Sequence, residues 1–591
     1  MIKISNLTLL VSSPDIKRQI FILQFLLLFS CFFEVGGISL LGSLIYLVSD
    51  PSSALENNLF AYLYKLSALD DQSLFILLFA GLTISLIIIG GIASFLSVTY
   101  LSKIATHAGI HLSNQVFDRY LFLSWSDYLS ADKSKMVNEI YQETVRVTQN
   151  IFLPLLMINK SLFLCFILIC FLLTISWKVS LSLFFGIAAI YFILFVFMKS
   201  SLNTNSKNLT DAHQNRYKYL NDTFESMKQI HIWKNQKLFQ DGFQAASLTW
   251  GNALRSNMNI SLLPRYVVET MILVLVALGI LILMLGSDPS NMLANLPGYS
   301  VFLFSAFKLL PAIQQVYTFS STITGNLHSF DTLAKLLENK THKGAYDPLQ
   351  SPPNIKKITL KDVSYSYPDS QFSLADINLE FNRGEVIGIT GYSGSGKSTF
   401  VDLLMGLLNP KSGTVKLNED IVELYENPAW HNHLSYLPPS IHLFNDSVEN
   451  NIHFSEDPHI DQKKLLDSLR ATNLNAVENI SQNSEIKNLS LSSGQIQRIG
   501  IARTMYRDRT VVIYDEPTSA LDNNNKEFFI DIMNSAKSKK ITFFITHDLE
   551  LLKNADKVVI FNEGRVEYFG GYADSLRQSE SMKKLTQANQ K

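Results

Sequence analysis

Gly391-Tyr392-Ser393-Gly394-Ser395-Gly396-Lys397-Ser398-Thr399 is a glycine, four residues, and then Gly-Lys-Ser. Its flanks decide how it folds. Before it, Glu385 to Thr390 (EVIGIT) is a short apolar run of the kind a buried strand needs. After it, Lys397 to Leu408 (KSTFVDLLMGLL) has the composition of a helix. Glycines let a strand-to-helix turn curl so that its N–H groups face one point. The helix N-terminus adds partial positive charge at that point, and Lys397 adds a full one. The stretch therefore predicts a loop that cradles the phosphates of a nucleoside triphosphate.

Outward from the loop, the α/β pattern runs from Ile355 to about residue 580. Strand-like runs (ITLKDVSYSY, SLADINLEF, TVKLN, HLSYL, TVVIYDE, ITFFITH, KVVIFNEGRVEYFG) alternate with helical ones, which predicts a mainly parallel sheet. Thr510 to Tyr514 is an apolar strand that ends in Asp515-Glu516. A carboxylate at a strand end beside such a loop is placed to hold Mg²⁺ together with Ser398. The next carboxylate, Glu516, can polarise a water attacking the γ-phosphate. Leu491-Ser492-Ser493-Gly494-Gln495 precedes a helical run, Ile496 to Tyr506, and its Ser and Gly residues suit an anion at a helix N-terminus. The polar residues at 581–591 read as a tail.

The first half has another character. Of 591 residues, 47% are hydrophobic and only 17% charged, below the usual share of about 25%. Apolar residues crowd into six stretches of spanning length: about Ile20 to Val48, Leu74 to Tyr100, Ile151 to Ile175, Val179 to Met198, Tyr266 to Leu285 and Tyr299 to Ile323. The first is too long for a signal h-region and is expected to stay as a span. Loops after spans two and four are long and carry Lys103, Arg119, Lys133, Lys135 and Arg146, then Lys199, Lys207, Arg216, Lys218, Lys228, Lys234 and Lys237. The positive-inside tendency places those loops and both chain ends in the cytoplasm. Rich in helix formers, the loops read as helical extensions of the spans, with Ser124 to Leu129 and Glu225 to Lys234 as candidate helices at their tips. Residues 1–340 then form an all-α membrane domain, 341–354 a linker, and 355–580 the α/β domain.

The formal net charge of -1 gives no footprint for nucleic acid. Cys31, Cys165 and Cys170 all lie inside apolar runs, have no metal spacing, and read as packing residues.

The motif set resembles the ATP-binding cassette (ABC) proteins. LSSGQ is similar to that family's LSGGQ signature, and the phosphate loop, the signature, YDEPTSALD and ITH stand in the family's order. Six spans before the nucleotide domain resemble a half-size ABC exporter of type IV fold. The resemblance implies ATP and Mg²⁺ as cofactors and a helical subdomain beside the α/β core. It implies that Tyr367 stacks on adenine, that Gly391, Ser393, Gly394, Ser395, Gly396, Lys397, Ser398 and Thr399 cradle phosphate, and that Asp515 holds the metal. Glu516 becomes the catalytic glutamate, His547 the γ-phosphate sensor, and Asp522 part of the loop after Walker B. Ser492, Gly494 and Gln495 would contact ATP held by a second subunit, so a homodimer is implied. Two departures stand out. Pro439 occupies the place of a glutamine that normally touches the metal and attacking water and links to the membrane half; Pro has neither the amide nor an N–H. Ser493 replaces a glycine of the signature.

Charged residues inside the spans are costly and draw attention. Glu34 lies in span one and Lys308 in span six, with Arg265 and Glu269 a turn apart at the start of span five. One reading pairs Arg265 with Glu269 and turns the others to a wet cavity; the other has Lys308 and Arg265 draw an anionic head group. FFEVGGISLLGSLIYLVSDP, LLPRYVVE and AFKLLPAIQQ are similar to stretches of the bacterial flippases for lipid-linked oligosaccharides. That resemblance implies a pyrophosphate-linked glycolipid moved across the bacterial inner membrane. A multidrug, peptide or lipid A exporter is the alternative, and an ATP-gated channel or membrane sensor is an alternative of another class.

Overall fold

The computed structural model describes residues 14–49, 51, 58–67, 69, 71–175, 177–286, 289–338, 354–367, 372–474, 485–486, 491–519, 523–537 and 539–589, with backbone alone over 275–300 and a few other helical positions. The chain divides into two compact units. One is Met1–Leu123 with Ser130–His342; the other is Ser124–Leu129 with Lys343–Lys591. Most of the linker expected at 341–354 lies outside the described residues.

The first unit is helical. Among the described residues four helices are long and apolar enough to cross a membrane: Pro14–Ser49, Gln72–Leu121, Lys133–Ile175 and Phe184–Glu225. The fifth and sixth apolar stretches lie in continuous helices, Gln236–Gly286 and Pro289–Thr324. The helices run well past the spans, as the helix-forming composition of the long loops requires. Their outer faces carry exposed Phe21, Leu77, Phe192 and Phe197, which lipid rather than water would cover. Inward, Leu23, Leu27, Leu101, Ile104 and Val116 are buried. A short helix, Met227–Trp233, caps the second long loop and ends at Lys234, a left-handed residue (φ 57°).

In the second unit the expected mainly parallel sheet is present. Its strands are β1 (Lys357–Ser366), β2 (Ser373–Asn382), β3 (Val386–Gly391), β4 (Ser412–Leu417), β5 (Asp420–Ile421), β6 (Leu434–Leu437), β7 (Val511–Asp515), β8 (Ile541–Ile545), β9 (Lys557–Asn562) and β10 (Arg565–Gly570). Six of them form one sheet in the order β10-β9-β3-β8-β7-β6, parallel except at β10. The other four form an antiparallel sheet, β2-β1-β4-β5. Every residue of β3 is buried, which is why its sequence is a continuous apolar run and not an alternating one. The phosphate-loop helix, Lys397–Leu404, packs Phe400, Val401, Leu403 and Leu404 into the core shared with β1, β2 and β4. Each such burial contributes roughly 1.5–3 kcal/mol, so this helix is held rigidly. It stops short of the Leu408 expected from composition, because Gly406 takes φ 74°.

A smaller helical cluster, built on Val448, Ile452, Leu465, Leu469, Ile499 and Ala502, leads to the signature helix Ser493–Arg507. The polar end of the chain differs from the simple tail expected. Glu580–Asn589 is a helix that buries Met582 completely, while Glu567 accepts hydrogen bonds from the Ser579 and Ser581 hydroxyls. One apolar residue among polar ones is enough to anchor it.

Candidate functional site

The loop between β3 and its helix forms one wall of a cleft of about 420 Å³. Ser393, Gly394, Gly396, Lys397, Ser398 and Thr399 line it, opposite Asp515, Glu516 and His547, with Tyr367 at one end. Two glycines are obligatory. A Cβ on Gly391 (φ 145°) would stand 2.3 Å from the Phe561 carbonyl oxygen, and one on Gly396 (φ 109°) 2.6 Å from Leu374. Lys397 donates to the carbonyls of Gly391 and Tyr392, both at 2.8 Å, so its ammonium is tethered across the loop. Burial lowers its pKa, and Glu516 and Asp515 oppose that. The Ser395 hydroxyl is buried with no partner among the described residues.

Across the cleft the Asp515 carboxyl is pushed up to about 6, first by burial and then by Glu516. The Tyr436 hydroxyl on β6 donates to it at 3.4 Å. Glu516 has φ 47°, a left-handed conformation costing a side-chain-bearing residue about 1–2 kcal/mol, and its N–H is held by the Ile545 carbonyl at 3.0 Å. Burial lowers the His547 pKa, with help from Lys397 and against Glu516, so the imidazole is neutral at pH 7. Among the described residues no three His, Cys, Asp or Glu gather into a resident metal centre. The Ser398 hydroxyl and the Asp515 carboxylate are instead the oxygen donors that suit Mg²⁺ arriving with a nucleotide.

Gly391 and Ser395 lie behind the lining, and Asp522 falls outside the described residues. Ser492, Gly494 and Gln495 do not line the cleft of their own chain. Ser492 caps the signature helix: its hydroxyl accepts from the Gln495 N–H at 3.2 Å, and the Gln495 side-chain oxygen accepts from the Ser492 N–H at 2.8 Å. Ser493, in place of the usual glycine, is the first helical residue, where a side chain costs nothing sterically. Pro439 is exposed just past β6 and is absent from the lining. Sequence reasoning missed Phe372 at the cleft, whose only signal was an aromatic close to Tyr367 in the chain.

In the helical unit Lys308 lies 3.7 Å from Glu34, and both line a pocket of about 420 Å³ with Ser94, Phe304 and Phe307. Lys160, which sequence reasoning also missed, donates to Ser94 at 2.6 Å. Its signal was a lysine inside the third apolar stretch. Arg265 is not part of this pocket; it pairs with Glu269 at 2.7 Å on an exposed face. The pairing reading therefore holds for Arg265.

Two family models match the chain: "ABC transporter transmembrane region" over residues 20–307 and "ABC transporter" over 374–519. An "ATP-dependent lipid A-core flippase" of Mannheimia succiniciproducens is 24% identical over 94% of this chain and 95% of its own. One of Saccharophagus degradans is 24% identical over 83% of each. A solved bacterial Atm1-family ABC exporter with ATP bound superposes with a TM-score of 0.78 over 97% of this chain and 98% of its own, at 18% identity.

Proposed function

We propose, from the premise that the chain belongs to the ABC transporters as a half-size exporter with ATPase activity, that it is an inner-membrane flippase working as a homodimer on an anionic glycolipid. The observation that carries the substrate class is the pocket around Glu34. Lys308 meets the Glu34 carboxylate there, and Lys160 donates to Ser94 of the same lining, so two lysines and one carboxylate gather at the pocket inside spanning helices, where charge is costly unless it has a task. The names of the relatives favour a lipid A-core substrate. The resemblance of FFEVGGISLLGSLIYLVSDP supports a pyrophosphate-linked oligosaccharide lipid as the second reading.

In the cleft, Tyr367 and Phe372 supply aromatic surface for the base, and the loop N–H groups and Lys397 take the phosphates. Ser398 and Asp515 would hold Mg²⁺, which neutralises charge on the β- and γ-phosphate oxygens. Glu516 accepts a proton from the attacking water as the bond from the γ-phosphorus to its bridging oxygen breaks, and neutral His547 donates to the γ-phosphate. The signature end, Ser492 with Gly494 and Gln495, presents helix N–H groups to the nucleotide of the partner subunit, which explains why these residues do not line their own cleft.

ATPase activity of the purified protein in nanodiscs, with added lipid A-core, pyrophosphate-linked oligosaccharide lipid or a cationic drug, tests the reading. One anionic lipid should stimulate wild-type hydrolysis, and Lys160→Ala with Lys308→Ala should abolish stimulation but not basal turnover. Stimulation by the drug alone would overturn the anionic-glycolipid reading.

A further inference from the structure

The phosphate loop is held from behind as well as open at the front. In the turn between β9 and β10, Glu563 (φ 47°) and Gly564 (φ 78°) are both left-handed, as a two-residue type I′ hairpin between Asn562 and Arg565 requires. Its tip is wedged between two other elements. The Gly564 N–H donates to the Ser395 carbonyl at 3.0 Å, and the Gly564 carbonyl accepts from the Ala375 N–H at 3.0 Å. A Cβ on Gly564 would stand 2.0 Å from the Ser373 carbonyl oxygen, so the position needs glycine. A trans peptide points its C=O and its N–H in opposite directions. With the Ser395 carbonyl turned back to Gly564, the Gly396 N–H of the same peptide faces the other way, and Gly396 lines the cleft.

The end of the chain fixes that turn. Glu567 is the extra residue at the register shift between Val566 and Tyr568, where a bulge re-aims a side chain. Its carboxylate accepts from the Ser579 hydroxyl at 2.6 Å, from the Ser581 N–H at 3.0 Å and from the Ser581 hydroxyl. The Asn562 side chain, at the start of the turn, hydrogen-bonds it as well. Burial opposes the charge of Glu567, yet these bonds hold its carboxyl below the usual glutamate range. Ser579 and Ser581 are buried and flank the start of the last helix, Glu580–Asn589. Met582 of that helix is fully buried in one core with Val386 of β3 and with Val558 and Ile560 of β9. Glu567, Ser579 and Ser581 do not line the cleft.

We infer that the β9–β10 turn, tied by Glu567 to the last helix, is a rear brace that presets the Ser395–Gly396 peptide for the phosphates. Glu567 is a positioning residue and touches no nucleotide. Without the tie the turn gains freedom, the Ser395 carbonyl loses its fixed donor, and the Gly396 N–H spends only part of its time facing the cleft. Apparent affinity then falls with the fraction of chains still preset. Bound ATP selects the preset loop and is cleaved at the ordinary rate, so the signature is a rise in KM with little change in kcat. The inference rests on the reading of the cleft as the ATP site and not on the choice of lipid.

The test uses the full chain in nanodiscs of phosphatidylethanolamine and phosphatidylglycerol. Steady-state hydrolysis gives kcat and KM for ATP, and hydrogen–deuterium exchange read by mass spectrometry on nucleotide-free protein follows the loop amides of residues 391–399. Glu567→Ala should raise KM about tenfold, the scale of one hydrogen bond to a charged group, and keep kcat within about twofold. Exchange in the loop should quicken by a similar factor while β7 stays protected. Glu567→Gln keeps an acceptor and gains an N–H that the Ser581 hydroxyl can accept, and it should restore KM, kcat and exchange to wild-type values. Ser581→Ala leaves Met582 seated and should raise KM about threefold; it carries the test if Glu567→Ala does not fold, and an unchanged KM there overturns the brace. An unchanged KM or unchanged loop exchange in Glu567→Ala overturns it too, as does a fall in kcat at constant KM or failure of Glu567→Gln to rescue. Absence of ATP turnover in wild type overturns the reading of the cleft and the brace with it.

Discussion

Replacing Arg146 by methionine should cost more stability than any surface change, and the cost can be worked from its partners. Arg146 is 6% exposed. Its Nε donates to Asn326 at 2.7 Å and its Nη1 to Thr210 at 2.9 Å, with Nη1 3.5 Å from Glu143, which has no exposed surface. Breaking a buried pair by removing one partner costs roughly 3–5 kcal/mol, because the remaining charge is stranded. Two acceptors that lose their donor add about 1 kcal/mol each. Together, at about 5–7 kcal/mol and 2–4 °C per kcal/mol, these lower Tm by roughly 10–28 °C. Glu143→Leu combined with Arg146→Met removes both charges and should recover the stranded-charge part, leaving a loss of about 2 kcal/mol from the two acceptors without a donor. Thermal unfolding of detergent-purified protein, followed by intrinsic fluorescence for wild type, both single variants and the double, measures this. A single Arg146→Met shift under about 2 °C, or a double variant as unstable as the sum of the singles, would refute the argument that the stranded Glu143 charge dominates.

Glu516→Gln should keep ATP affinity in equilibrium binding while steady-state hydrolysis falls about 10²–10⁴-fold, the range for loss of a general base; near-normal turnover would remove Glu516 from that role. With Asp402 and Asp515 both raised to about 6, their contribution to folding is greatest at low pH and is lost as pH rises through 6. Nucleotide-free protein should therefore gain stability from these two groups between pH 7 and pH 5.5, as differential scanning fluorimetry would register. Gly396→Ala should abolish nucleotide binding without unfolding the domain, because only the loop beside Leu374 and Phe372 must move to admit the methyl group; normal binding by isothermal titration calorimetry would contradict the packing described.

The cleft was legible in the sequence where its parts are contiguous. The phosphate loop, the acidic end of β7 and His547 each sit at a fixed offset from an apolar strand, and parallel pairing of β3, β7 and β8 brings those ends together. The spans were legible for a related reason: a helix in lipid must be apolar over its whole crossing, so length and hydropathy announce it. Phe372 was not legible, since an aromatic in a polar stretch has no periodic pattern. Lys160 stood in plain view, but which side of a helix it faces depends on its neighbours, and only its bond to Ser94 beside the Glu34–Lys308 pair gives it a setting.

By itself, the amino-acid sequence determined that this protein couples a nucleotide-binding α/β domain to membrane helices, because local backbone chemistry and hydropathy carry that information residue by residue. Only the tertiary structure decided which distant groups meet: Arg265 with Glu269 and not with Lys308, Tyr436 with Asp515, and Trp125 with Asp402. Such pairings depend on how whole elements pack, and packing energy is spread over dozens of weak contacts that no short stretch encodes. The phosphate loop could be read from nine residues; the meeting of Trp125 with Asp402, 277 positions apart, needed the fold.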